Sequence, residues 1–433
     1  MLTEPITRRG VIALGGIASL AAFLSGCSTA PAGSEGTASG DSSQMVLWTW
    51  PEGFSATLLD SVTKAFPAVS LRQDIIGGDF KQKLTTTFQA GSGLPAITGV
   101  KGEDIAFFAS QPDFFIDLNT LGAESHKGEF LEWKWAQATA ADGRQLGIPI
   151  DIGPTALFYR FDVFEKLGLP HEPEALAAAI RTWDEYFNLG VEMVGKEAGT
   201  FLVRNLSTVF ETAVKQTGKN FVDSSGKFIG AEEHIHSAWN TAVKAHTLGI
   251  SAGAKSDSPD TQAAVAAGKL PADIGASWHL SDLKVDAPDT AGTWHVCAHP
   301  GDATNNGGSF LTIPKGTADA AKAFEVIMHI LNADNQIVEY EDKGNFPANS
   351  TAFTSEALHA PTEFLGGQVG AEVFAKAAET VRPLYEHKFN NTVSGPFSAE
   401  LELVEASNKD PEQAWNDAVE QAKRLAEQNG LTL

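Results

Sequence analysis

Apolar and polar positions alternate along this chain in a strand-then-helix rhythm that begins at residue 45. Met45-Val46-Leu47-Trp48-Thr49-Trp50 is a β-rich run stopped by Pro51, which cannot donate to a ladder. Leu58, Leu59, Val62 and Phe66 then fall at helical spacing, with Pro67 as the stop. Residues 70–76 read as a strand. Phe80, Leu84 and Phe88 mark one stripe of a second helix that ends at Gly91-Ser92-Gly93. A short strand over 96–100 and a helix start over 105–109 continue the series. This alternation predicts a largely parallel sheet with helices on both faces.

Farther along, 147–151 and 156–160 read as strands on either side of Gly153-Pro154, and a short helix over 162–167 closes at Gly168. Thr182-Trp183-Asp184-Glu185 has the form of a capping box: the threonine hydroxyl accepts from the amide three residues on, and the glutamate reaches back. Helices are expected over 231–248 and 259–268, and strands over 272–276, 294–298 and 310–314. A long helix over 318–332 is expected to be capped by Thr317, with Asp319 favourable in its first turn. Beyond residue 355 the pattern is mainly helical. Trp48, Trp183, Trp239 and Trp415 occupy strand or helix positions that read as core.

The first 44 residues break this rhythm. An apolar run over 11–24 comes after Arg8-Arg9 and leads into Leu24-Ser25-Gly26-Cys27. A charged head, an apolar stretch and a small-residue cut site make an export signal. Fourteen residues are too few to cross a hydrocarbon core, which takes roughly 20. The cysteine at the cut site predicts a lipoprotein: residues 1–26 are removed and Cys27 carries the lipid. The arginine pair fits a Tat signal loosely, and a plain basic head serves Sec export equally. Residues 27–44, built of Ser, Gly, Ala, Thr and Pro, read as a flexible tether. The chain is therefore expected outside the cytoplasm, lipid-anchored to the cell membrane at the cell surface or periplasmic side.

Composition narrows the class. The chain has 433 residues, 43% of them hydrophobic, and a net charge of −23. The stretch beyond the tether is too long for one core and suits two globular domains. So acidic a surface repels nucleic acid and anionic headgroups, and no nucleic-acid partner is expected. With Cys27 acylated, Cys297 is the one thiol left, so no internal disulfide forms. Its neighbours Trp294-His295-Val296 and Ala298 place it in an apolar strand-like run, as a buried structural thiol.

Several segments, in order, carry a family resemblance. They are LTTTFQAGSGLP (84–95), PDFFIDL (112–118), GIPIDIGPTALFYRFDVFEKLGL (147–169), the capping box at 182–185, GKLPADIGASW (268–278), and Gly307-Gly308-Ser309 leading to Lys315-Gly316. Together they make the chain resemble the extracellular solute-binding proteins of ABC importers, in the sugar-binding group typified by maltose-binding protein. The resemblance implies an α/β, two-lobe periplasmic-binding-protein-like fold with a hinge and an interlobe ligand cleft. It implies no enzymatic activity, no cofactor and no metal. Its partners would be a mono- or oligosaccharide and the membrane subunits of an ABC importer, and the chain would be a monomer. Lobe I is expected over 45–150 plus about 298–348, and lobe II over about 154–293 plus 350–433. Crossings are expected near 151–154, 293–300 and 345–350. Gly153-Pro154 departs from many relatives.

Ligands of such sheets sit beyond the carboxyl ends of the strands. That rule selects Trp50 and Glu52 after the first strand, Glu103 and Asp104 after the 96–100 strand, Asp151 at the lobe crossing and Trp278 after the 272–276 strand. Gly307 and Gly308 let backbone approach ligand or hinge closely. Asn345 and Arg382 complete the candidates, the latter as a fork for sugar hydroxyls or as a surface ion pair. The residue types suit a sugar: an indole covers the apolar face of a pyranose, while carboxylates and amides accept from its hydroxyl rim. For the acids the alternative is a solvated loop charge or, for Asp104, the cap of the helix at Ile105.

Two other functions stay open on the sequence. A secreted glycoside hydrolase needs two carboxylates across about 5–9.5 Å, and the acids suffice in number. A metal- or anion-binding receptor of the same architecture needs paired tyrosines or clustered amides and arginines; tyrosines number four against nine tryptophans. No HExxH, CxxC, Walker lysine or Gly-x-Ser-x-Gly elbow occurs. His234 and His236 are two apart in a helical stretch and cannot share a metal.

Overall fold

A computed structural model describes residues 44–433 except 52, 256, 257 and 383. The signal segment, Cys27, nearly all of the 27–44 tether and Glu52 lie outside the described residues. The described chain belongs to one compact unit beginning at residue 42.

Ten strands are described: β1 (Gln44–Thr49), β2 (Ser70–Ile75), β3 (Ile97–Val100), β4 (Gly147–Pro149), β5 (Asp151–Ile152), β6 (Thr155–Arg160), β7 (Ala272–Ala276), β8 (Trp294–Cys297), β9 (Phe310–Thr312) and β10 (Phe346–Pro347). They build three sheets, ordered β2-β1-β3-β9-β4, β7-β6-β8 and β10-β5.

The parallel expectation holds for one half of the first sheet alone. β1 pairs in parallel with β2 and β3, whereas β9 is antiparallel to both β3 and β4. The second sheet is antiparallel throughout. The reason is connectivity. β9 enters the first sheet on the way back from β8 of the second, so it arrives from the opposite end. The carboxyl ends of β1, β3 and β4 and the amino end of β9 therefore meet at one edge.

Local signals explain most helices. Ser55 accepts from the Leu58 amide to start Ala56–Ala65, and Asp79 accepts from Gln82 to start Phe80–Ala90, which closes at Gly91 with φ 63°. The capping box at Thr182 is complete: Thr182 Oγ1 accepts from the Glu185 amide at 3.2 Å, and the Thr182 amide donates to Glu185 at 3.0 Å. One cap differs from expectation. Asp319, not Thr317, caps the helix Ala320–Ile330 by accepting from the Lys322 amide. The Thr317 hydroxyl is taken by the carbonyls of Pro314 and Ala96. Asn332 then caps a separate helix, Ala333–Lys343.

β6 shows how the second sheet is buried on both faces. Ala156 and Phe158 face a core shared with Leu47, Ile148, Phe346 and Phe374, while Leu157 and Tyr159 face one built with Phe187, Phe210, Trp239 and Phe397. This is period-two alternation with apolar layers on either side. Trp48, Trp239 and Trp415 are buried as expected, and Trp183 is half-buried, with Nε1 donating to Gln216. Cys297 is buried, and burial pushes its thiol far above the usual range, which keeps it protonated and inert.

Candidate ligand cleft

Around Trp278 three cavities meet. The first, about 300 Å³, is lined by Trp50, Glu103, Asp151, Trp278, Gly307, Gly308 and Asn345 together with Lys101. Seven of the sequence-selected residues are thus brought together at the edge where the strand ends of the first sheet converge. The second, about 430 Å³, shares Glu103, Trp278 and Gly307 and adds the amides of Gln137, Asn220, Asn306 and Asn390. The third, about 350 Å³, lies toward Arg204, Asp273 and His279.

Trp278 is half-buried at the junction of β7 and the helix His279–Asp286. Its Nε1 donates to the Asn306 carbonyl at 3.3 Å, which fixes the indole plane. Trp50 is also half-buried. It packs edge-on to Phe80 with centroids 5.6 Å apart, and Lys101 Nζ lies 5.7 Å from the ring centroid. Both indoles therefore keep apolar surface toward the cleft while anchored at one side.

The floor is the segment 305–309, which leads into β9. Gly153 donates to Asn305 Oδ1 at 2.8 Å, and Asn306 donates back to the Gly153 carbonyl at 2.7 Å. A Cβ on Gly153 would stand 1.9 Å from the Asn306 carbonyl oxygen, so no other residue fits without moving this segment. Gly307 and Gly308 both have positive φ, 78° and 77°. The turn they make exposes two carbonyls inward, and Lys134 takes them.

Lys134 is fully buried, and its Nζ donates to Gly308 O at 2.7 Å, Gly307 O at 3.4 Å and Gln137 Oε1 at 3.0 Å. Burial lowers its pKa to about 8, against the pull of Asp151, Glu103 and Glu386. Asp151 answers from the other side. Its Oδ1 accepts the Ser309 amide at 2.8 Å, and burial pushes its carboxyl above the usual range despite that bond and Lys134. β5, which carries Asp151, pairs with β10, so the chain passages near 151 and 346 lie side by side.

Asp104 and Arg382 fall outside the three cavities. Asp104 is buried and lines none of the three cavities; it occupies the cap position of Ile105–Ala109 without a side-chain cap bond and pairs with Lys81 Nζ at 2.8 Å. Arg382 is exposed, pairs with Asp302 at 2.8 Å and borders a separate pocket of about 40 Å³. Glu103 is exposed, and its carbonyl accepts from Asn391 Nδ2 at 2.9 Å, a contact between the first-sheet edge and the start of the helix Asn390–Ser407.

Sequence reasoning passed over the amide side of the cleft. Asn220 and Asn390 both donate to Glu386, at 3.0 and 3.2 Å, and burial raises the Glu386 carboxyl. Lys215 Nζ donates to Asn306 Oδ1 at 2.9 Å. Two signals in the chain pointed here: the string Asn305-Asn306-Gly307-Gly308, and Glu211 with Lys215 one turn apart on the helix Leu206–Gln216. Among the described residues no group of three or more His, Cys, Asp or Glu is arranged to hold a metal ion, and no helix is long and apolar enough to cross a membrane.

A two-lobed α/β fold whose strand ends gather polar, indole-walled cavities is the architecture of a binding receptor. The profile of the bacterial extracellular solute-binding proteins matches residues 72–365, and the chain belongs to that family. It therefore acts outside the cytoplasm, and the hydrolase alternative falls, because the family is one of receptors and not of enzymes. The lactose-binding protein of Rhizobium radiobacter is 24% identical over 77% of this chain and 81% of its own length. The arabinooligosaccharide-binding protein of Bacillus subtilis is 26% identical over 48% of each chain. Among solved structures, an extracellular solute-binding protein of family 1 superposes with a TM-score of 0.80 at 25% identity, over 88% of this chain and 99% of that one.

Proposed function

We propose that this protein is the lipid-anchored receptor of an ABC importer and captures a carbohydrate between its lobes without altering it. The observation that carries this reading is the meeting of Trp50, Trp278, Asp151, Glu103 and the Gly307-Gly308 turn around one cavity. Two indoles offer stacking faces for a pyranose, and carboxylates and amides ring them as hydroxyl partners. The names of the two relatives, both sugar receptors, support the same ligand class.

In this reading lobe I comprises 45–150 plus about 298–348, and lobe II about 154–293 plus 350–433. Asp151 and Asn345 belong to the passages between lobes, Trp50 and Glu103 to lobe I, and Trp278 to lobe II. A ligand that touches both sides binds the closed arrangement more tightly, so it shifts the population toward closure. The importer then meets a closed, loaded monomer tethered through Cys27. Arg382 pairs with Asp302 at the surface, beside a separate small pocket.

Isothermal titration of the purified protein tests the ligand class. The panel is galactose, lactose, arabinose and arabinooligosaccharides, with chromatography of the sugar afterwards. Saturable binding of at least one sugar, recovered unchanged, is the expected result. No binding across the panel at millimolar concentration, or a converted sugar, contradicts it.

A further inference from the structure

The helix Ala333–Lys343 touches both segments that carry the cleft indoles. At its carboxyl end Gly344, with φ 73°, lies against the junction that carries Trp278. A Cβ there would stand 2.8 Å from the Ser277 carbonyl oxygen and 3.2 Å from the Trp278 Cα, so a side chain would fit only by moving that junction. Earlier on the same helix, Glu339 Oε1 accepts from the Ser55 amide at 2.9 Å and from the Ser55 hydroxyl at 2.5 Å. Ser55 ends the short loop that begins at Trp50. That loop is drawn tight by the Gly53 amide, which donates to the Trp50 carbonyl at 3.1 Å, and its Phe54 ring is buried in the core. Trp50 is therefore held by β1 before it and by Ser55 after it. Its indole lies on Gly99 of β3, where a Cβ would stand 2.6 Å from Cζ3, so the strand leaves the ring no room on that side.

Glu339 is a costly group to keep at this contact. It is 3% exposed, and Ser55 supplies both hydrogen bonds of its carboxyl; among the described residues its Oε2 is buried without a partner. Burying a carboxyl with one oxygen unbonded lowers stability. The charges nearest it, Asp342 and Lys343 on the same helix, act on it with opposite sign. Local rules are broken in this way where position matters more than stability. What the bonds achieve is geometric. They tie the Trp50 loop to the helix whose end seats Trp278 and whose continuation, Asn345, lines the first cavity.

We propose that Glu339 is a positioning residue of the cleft: through Ser55 it sets where Trp50 stands relative to Trp278 and Asn345, and thereby the affinity for a guest held between the indoles. Glu339 lines none of the three cavities, so it acts on the guest through the loop alone. The proposal rests on the carbohydrate reading above.

The test is a double-mutant cycle by isothermal titration at pH 6, where the Glu339 carboxyl, raised by burial to about 7, holds its proton. The probe is whichever of galactose, lactose, arabinose and the arabinooligosaccharides binds the wild type most tightly. Glu339→Leu is expected to weaken binding about tenfold in the wild-type background and less than about twofold in Trp50→Ala, where no indole remains to be misplaced. Glu339→Gln keeps an acceptor for Ser55 and is expected to bind within about twofold of the wild type. A group that served stability alone would lower the melting temperature in both backgrounds and leave the affinity of the folded protein unchanged. Wild-type affinity in Glu339→Leu, an equal loss with and without Trp50, or a Gln variant as weak as the Leu variant overturns the proposal. If Glu339→Leu does not fold, Ser55→Ala takes its place in the cycle, with the same dependence on Trp50 expected. If no sugar binds the wild type, the carbohydrate reading falls and this proposal with it; sugar binding that is indifferent to Glu339 overturns this proposal alone.

Discussion

Trp278 is the residue on which the cleft turns. Its indole borders three cavities and is pinned by the Asn306 carbonyl. Trp278→Ala is expected to weaken sugar binding by about 1–3 kcal/mol, the scale of a well-buried aromatic contact, as read by titration calorimetry. Unchanged affinity would remove Trp278 from the site. Beneath it, Lys134 holds the Gly307-Gly308 turn through two carbonyls. Its pKa is lowered by burial from 10.5 to about 8, so between those values the unfolded chain binds the extra proton. Stability from this group accordingly rises as pH climbs from about 8 toward 10.5. Denaturant unfolding should show the wild type gaining on Lys134→Met over that window, by up to about 3 kcal/mol. A constant gap between the two would contradict the burial of a titrating ammonium.

The elements were legible where local chemistry decides them. Strand runs, the Gly91 stop and the Thr182–Glu185 box were readable because each depends on residues within one turn of chain. Thr317 does not cap as its sequence suggests because its hydroxyl is claimed by Ala96, more than two hundred residues away, a partner no local pattern reveals. The sheet departs from the parallel expectation for the same reason: β9 is antiparallel because of where the chain has come from, not because of its own sequence. The site divided similarly. Residues at strand ends could be chosen by rule, whereas Asn220, Glu386 and Asn390 meet through loops and helix starts whose placement is tertiary. Asp104 satisfied the rule in sequence but spends its carboxylate on Lys81.

One contact between elements yields its own test. Glu339, on Ala333–Lys343, accepts both the amide and the hydroxyl of Ser55 at the start of Ala56–Ala65. Burial raises its pKa from 4.5 to about 7, against the Ser55 bonds. The folded state thus holds the extra proton between those values, and its stabilising effect is lost as pH rises through 7. Glu339→Gln keeps the acceptor and removes the titration. Thermal or denaturant melts should show the variant gaining on the wild type between about pH 5 and pH 8, by roughly 3 kcal/mol. Parallel pH profiles would show that this carboxyl does not titrate there.

At the scale of the molecule, the three passages that carry Asp151, Asn305–Ser309 and Asn345 run close together, two of them as the β5–β10 pair. In the reading proposed above, in which the crossings lie near 151–154, 293–300 and 345–350, short adjacent passages would let two halves rotate while the contacts within each half persist. The central claim is that such rotation encloses an unaltered sugar. Small-angle X-ray scattering of the protein, titrated with a sugar that binds, measures it most directly. The account predicts a saturable fall in the radius of gyration that tracks the binding isotherm. A radius of gyration that stays constant through full saturation would contradict it.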